Sequence, residues 1–192
     1  KLYQIIENGH LYIAQPPLYR VKKGKKETYF KEEESMSAFL LHEGTQGLEL
    51  HFKDKTLSDD LLRTFIKKTN SFGNILAKQS QRFDTDFLNY ALIELAGDIK
   101  RFSDPQFWSG LEKLLSQQVL KKSYKFELQA DRVSVACFES GYQRDFELMK
   151  ESLESGDLTN LVELARDLTS LGRLPAFLKS SDKSNEKSGE AK

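Results

Sequence analysis

Apolar residues change period along this chain, and that change limits the folds open to it. Leu61, Leu62, Phe65 and Ile66, then Phe72, Ile75, Leu76 and Phe83, recur at the spacing of one helical face. Phe87, Ala91, Leu92 and Leu95 repeat the pattern, as do Phe107, Trp108, Leu111, Leu114 and Leu115. The period then drops to two, with Tyr124, Phe126 and Leu128 followed by Val133, Val135 and Cys137. Alternation of that kind marks half-buried strands. Leu158, Leu161, Val162, Ala165 and Leu168 restore the helical spacing. Helices, then consecutive strands, then a helix again predict an α+β chain with a small antiparallel sheet.

Boundary signals refine this. Leu48, Leu50 and Phe52 alternate with Glu49 and His51 as a strand, and Thr56-x-x-Asp59 resembles a capping box opening a helix over about 58–82. A second helix is expected over 85–97, and Ser103-Asp104-Pro105 opens a third, since proline is tolerated in a first turn. Ala130-Asp131 turns the first two strands of a meander, and a third strand carrying Tyr142 follows Ser140-Gly141. Helical spacing is expected to return at Leu148, Met149 and Leu153, and Asp157 is the expected N-cap of the last helix. Gly172 and Pro175 end it, and the polar stretch after Leu178 reads as a disordered linker or tail.

The first forty residues differ in kind. Leu2, Tyr3, Ile5 and Ile6 suit the end of a helix that Gly9 stops, and Leu11 to Ala14 read as a short strand. Pro16 and Pro17 must end its ladder because neither has an N–H. Extended structure resumes at Leu18, turns at Lys22-Lys23-Gly24-Lys25-Lys26, and returns through Thr28-Tyr29-Phe30. Acidic residues 32–34 then suit the first turn of a helix carrying Met36, Phe39 and Leu40. The glycine-rich joint Glu43 to Gly47 marks a domain boundary.

Composition narrows the function classes. With 29 basic and 29 acidic residues the formal charge is zero, which argues against a general polycation but not against a local patch. Cys137 is the only cysteine, so no intramolecular disulfide can form. No apolar run approaches bilayer length, and KLYQIIENGH lacks a signal-peptide layout, so a cytoplasmic protein without a membrane partner is expected. The absence of an initial methionine suits a piece of a longer protein.

No HExxH, CxxC or Walker loop occurs, and His10, His42 and His51 lack metal-ligand spacing. Cys137 reads as a buried structural thiol and Trp108 as core. Glu32, Glu33 and Glu34 point in different directions on a helix and cannot converge on one ion. The sequence therefore offers no catalytic residue and no metal ligand. Its best functional candidate is the basic turn, where Arg20, Lys22, Lys23, Lys25 and Lys26 surround Gly24. Such a tip can present several cations to adjacent phosphates of double-stranded DNA, or simply blunt an exposed strand edge. Residues 139–167 lean the other way, with three basic residues against eight acidic ones. Glu147, Glu151 and Glu154 there could dock a basic protein partner or form a solvated helix exterior. This alternative describes a non-catalytic interaction module.

At ENGHLYIAQPPLYRVKKGKKETYFKEEESM the chain resembles the B subunit of bacterial DNA gyrase, near the end of its metal-binding Toprim domain. The resemblance rests on the strand, the Gln-Pro-Pro-Leu-Tyr turn and the basic run. It assigns Tyr12, Gln15, Pro16, Pro17 and Tyr19 to the structural motif. It implies a partial Toprim segment over 1–42, an insertion domain of several helices and a small sheet over 43–178, and a tail over 179–192. The implied parent is an ATP-dependent type II topoisomerase that cleaves, passes and religates duplex DNA to introduce negative supercoils. Its implied partners are DNA and the gyrase A subunit in an A2B2 heterotetramer. Magnesium and ATP are implied for that parent, but the resemblance places the family's metal-binding EGDSA and DxD segments upstream of the matching stretch and QRYKGLGEMN after the insertion, none of them within this sequence, so no cofactor is expected here. The segment is expected to support DNA binding and intersubunit communication and to be inactive alone.

Overall fold

In the computed structural model, which describes residues 2–12, 16–117 and 121–180, the chain divides into two units, residues 1–46 and 47–192. In the first, helix α1 (Leu2–Glu7) ends where Gly9 adopts a φ of 69° and the His10 N–H donates to the Ile5 carbonyl at 2.9 Å. The strand expected at Leu11–Ala14 is not formed at Leu11 or Tyr12, which are exposed, and Ile13, Ala14 and Gln15 lie outside the described residues. A strand needs a partner ladder, and none of the described strands pairs there.

Strands β1 (Tyr19–Lys23) and β2 (Lys26–Phe30) form the expected hairpin, in the register Val21 to Thr28 and Lys22 to Glu27. The loop is only Gly24-Lys25, and Gly24 has a φ of 62°. A left-handed first loop residue matches the twist of the flanking strands and favours glycine. Helix α2 (Glu33–Thr45) begins with Glu33 and Glu34 in its first turn. It half-buries Met36, Phe39 and Leu41, whereas Leu40 is exposed. The Phe39 and Phe30 rings lie 5.2 Å apart, joining helix to hairpin. The helix continues through Gly44 into the expected joint and ends at Thr45, which is buried and whose hydroxyl donates to the Leu41 carbonyl at 2.8 Å.

The second unit opens with β3 (Leu48–His51) and β4 (Thr56–Ser58), to which β8 (Phe177–Ser180) adds in the antiparallel order β4-β3-β8. Thr56 therefore belongs to a strand and caps nothing; its hydroxyl lies 3.0 Å from His51 Nδ1. Lys179 and Ser180, expected in the tail, pair with Glu49 and Leu48, and residues 181–192 lie outside the described residues. Helix α3 (Asp59–Lys78) runs unbroken across Gly73. Phe52, Leu57 and Leu62 make a small core beneath it. Gly172 closes against that core: a side-chain carbon there would overlap the Phe52 ring. Gly172→Ala is expected to destabilise the unit by about 1–3 kcal/mol through overpacking, read from the urea unfolding midpoint.

The larger core lies between α4 (Thr85–Leu95), α5 (Pro105–Gln117) and α7 (Thr159–Leu171) and a meander of β5 (Lys122–Leu128), β6 (Arg132–Glu139) and β7 (Tyr142–Met149). Pro105 is the first residue of α5, as its tolerance for that position predicts. Phe126, Val135 and Phe146 stand in register on the meander's inner face. Trp108 is buried and its indole N–H donates to the Phe102 carbonyl at 2.7 Å. Leu148 and Met149, expected to be helical, end β7, because Leu148 pairs with Val133 and is fully buried there; α6 spans only Lys150–Glu154. Asp157 pairs with Arg82, and α7 starts at Thr159 after a Leu158 cap. The result is the expected α+β fold, with three small antiparallel sheets among the described residues.

Candidate phosphate-binding hairpin

Residues directly opposite in an antiparallel pair share a face, so β1 and β2 sort the basic residues into two sets. Arg20 and Lys22 share one face with Tyr29 and Glu27; Lys23 and Lys26 share the other with Val21 and Thr28. The second face meets α2, where Val21, Lys23, Lys26, Thr28, Phe39 and Glu43 line a small depression. Lys23 Nζ donates to Glu43 Oε2 at 2.7 Å. That bond is the main reason the Glu43 carboxyl sits below the usual carboxylate range.

On the open face, Glu27 accepts a hydrogen bond from the Tyr29 hydroxyl at 2.9 Å. Arg20 Nη1 and Lys22 Nζ each lie 3.7 Å from its carboxylate. Lys25 occupies the turn, and neither it nor Lys26 makes an ion pair among the described residues. The structure thus brings all five sequence-predicted cations onto one hairpin and grades them from tightly paired to unpaired. Flexible cationic groups so placed can contact phosphate oxygens, and contacts of that kind carry no sequence information. Of the motif residues, Tyr19 is half-buried opposite Phe30, Tyr12 is exposed, Pro16 and Pro17 precede the hairpin, and Gln15 lies outside the described residues.

The acidic candidates fall on two elements. Glu147 faces solvent from β7, 3.3 Å from Arg132 Nη1, whereas Glu151 and Glu154 lie on α6, with Glu154 3.5 Å from Lys150. His51 sits between Glu49 and Thr56, each at 3.0 Å. Among the described residues no group of three or more His, Cys, Asp or Glu is placed to hold a metal ion. The described residues therefore offer no fit for the magnesium that the resemblance implies. Cys137 is buried on the meander's inner face, where burial pushes its thiol pKa up.

Sequence reasoning missed one constellation, a polar cluster beside the main core. Asp84 Oδ1 accepts from the Asp86 and Phe87 N–H groups at 3.1 and 3.0 Å, capping α4, and from the Tyr124 hydroxyl at 2.8 Å. Lys122 Nζ donates to Asp84 Oδ2 at 2.8 Å and to Asp86 Oδ2 at 2.7 Å. Burial opposes ionisation of Asp84, but bonds from Lys122, the Phe87 N–H and Tyr124 outweigh it and hold the carboxyl below its ordinary value. Lys122 is opposed by burial too, yet its two carboxylate partners raise it above the usual lysine range. Burial, then the bond to Asp84, pushes the Tyr124 phenol up. Asp84 ahead of an apolar helix was a readable cap signal, but nothing in sequence tied it to Lys122 and Tyr124.

The basic hairpin and the helix α2 that backs it have a recognisable class. Residues 17–41, which hold β1, β2 and most of α2, match a family model described as "GyrB, hook". Over 174 residues, 84% of this chain, it is 31% identical to the DNA gyrase B subunit of Rickettsia felis. The same-named protein of Campylobacter jejuni is 30% identical over 115 residues, covering 60% of this chain and 14% of that protein. That of Caulobacter vibrioides is 46% identical over 61 residues, covering 31% of this chain and 8% of that protein. Across the part these matches span the chain is similar to DNA gyrase B subunits, consistent with a segment of one. It spans 21% of the length of the Rickettsia felis relative, about a fifth.

Proposed function

We propose that this chain works as a segment of the B subunit of an ATP-dependent type II DNA topoisomerase, and that its hairpin contacts backbone phosphates of duplex DNA. One coincidence carries the proposal: the family match at residues 17–41 falls on the hairpin that displays five cations. In this reading residues 1–42 belong to the parent's Toprim domain and 43–178 form its insertion, a division supported by the two units that meet at residues 46 and 47. Cleavage, strand passage and religation, with their magnesium and ATP, belong to other parts of the parent. The segment contributes DNA affinity and communication with the A subunit of a cytoplasmic A2B2 enzyme, and is inactive alone. The alternative, an acidic docking surface, is less favoured because Glu147 and Glu154 are already engaged by Arg132 and Lys150.

The test replaces Lys22, Lys23, Lys25 and Lys26 with alanine in the full chain and measures binding to a short labelled duplex by anisotropy across a salt series. Each phosphate contact contributes about −0.9 to the slope of log K against log salt. The substituted chain is expected to bind about 10-fold or more weakly at low salt, with its slope flattened by about 2 to 3. Unchanged affinity and slope would reject the hairpin as a phosphate site.

A further inference from the structure

Glu27 is the only carboxylate within the two strands of the hairpin, and its placement is specific. It stands opposite Lys22, on the face that also carries Arg20 and Tyr29. The Tyr29 hydroxyl tethers its carboxylate at 2.9 Å. The two cations are held loosely: both lie at 3.7 Å, beyond hydrogen-bond length, with side chains 60% and 61% exposed against 32% for Glu27. Exposed pairs of this kind are weak and easily exchanged. Arg20 and Lys22, two residues apart on one strand face, are about 6.6 Å apart along the chain. Between them sits a fixed anionic group that both approach.

We infer that Glu27 sets the affinity of the hairpin for DNA by occupying, as an internal counter-ion, the position a backbone phosphate takes between Arg20 and Lys22. The inference rests on the phosphate-binding reading above. A phosphate arriving at this face meets cations already shared with Glu27, so it gains less than two free cations would give, and it is repelled by the tethered carboxylate. Lys25 and Lys26 make no ion pair among the described residues and are not shared with Glu27, although Lys26 feels the Glu43 carboxylate. The open face and the tip therefore differ in what they contribute. Lys25 and Lys26 make contacts that Glu27 does not pair, Lys26 beside the Glu43 carboxylate, and Glu27 limits the contribution of Arg20 and Lys22.

The test compares the unaltered full chain with E27Q, with R20A/K22A/E27Q, and with K25A/K26A, using the labelled duplex and salt series. Glutamine removes the charge and keeps an oxygen for the Tyr29 hydroxyl, so the fold of the hairpin is retained. E27Q is expected to bind about 3- to 10-fold more tightly at low salt and to steepen the salt slope by about 1, the value of one added phosphate contact. The triple variant should lose that gain. If E27Q binds no more tightly and its slope is unchanged while K25A/K26A weakens binding, the counter-ion role is overturned and the phosphate reading stands. A gain that survives removal of Arg20 and Lys22 also overturns it, since the effect then does not run through those cations. If the unaltered chain and every variant fail to bind at low salt, both readings fall.

Discussion

Asp84→Ala is expected to lower the unfolding free energy of the second unit by about 3–5 kcal/mol, the usual cost of removing one partner from a buried ion pair. Three losses combine. Helix α4 loses the cap on the Asp86 and Phe87 N–H groups, typically about 1 kcal/mol. The buried Tyr124 hydroxyl loses its acceptor. Lys122, whose side chain is 16% exposed, keeps only Asp86. Trp108, the only tryptophan, is buried in the same core, so its fluorescence follows unfolding in urea. A loss below about 1 kcal/mol would mean the cap alone matters. The pH dependence follows from the directions of the shifts. Asp84 titrates below its ordinary value of 3.8, so its contribution is complete above that value and is lost as pH falls through the lower folded-state value. Lys122 titrates above 10.5, so its contribution is complete below 10.5 and is lost as pH rises through the higher folded-state value. The difference between native and Asp84→Ala proteins should therefore be flat from about pH 5 to 9 and shrink below about pH 4.

What was legible in the sequence was what burial imposes locally. The period-3.6 faces of α3, α4, α5 and α7 and the alternation of β5 and β6 were readable because each element buries one face along its own length. Failures came where a distant partner decided. Thr56 had the spacing of a capping box, but pairing with His51 drew it into a strand. Leu148 had helical neighbours, but Val133 held it in the sheet. Asp157 looked like a cap and instead meets Arg82, which precedes it by 75 residues. The candidate site divides the same way. Glycine flanked by lysines announced the hairpin, whereas the counter-ions depended on register for Glu27 and on the packing of α2 for Glu43. The cluster of Asp84, Lys122 and Tyr124 joins α4 to β5 across about forty residues, and no local pattern encodes such a meeting.

Phe87→Ala should destabilise the same unit by about 3–5 kcal/mol, the range for emptying an aromatic site in a packed core. The residue is fully buried, and its ring lies 5.3 Å from Phe146, 5.6 Å from Phe126, 6.2 Å from Tyr124 and 6.3 Å from Trp108. It is thus the point at which α4 touches α5 and both outer strands of the meander. Phe87→Leu keeps much of the volume and should cost less, about 1.5 kcal/mol or under. Near-UV dichroism should distinguish the two, because the alanine variant removes the ring stacked at 19° on Trp108 and leaves space for that indole to move. Phe87 also connects the apolar and polar halves of this region: its N–H is held by Asp84, and its ring packs on Tyr124, whose hydroxyl donates to the same carboxylate. Losses at Asp84 and Phe87 therefore share partners and should not add. The double alanine variant should be less unstable than the two single losses combined, by about 0.5–3 kcal/mol, and strict additivity would show that cap and ring act independently.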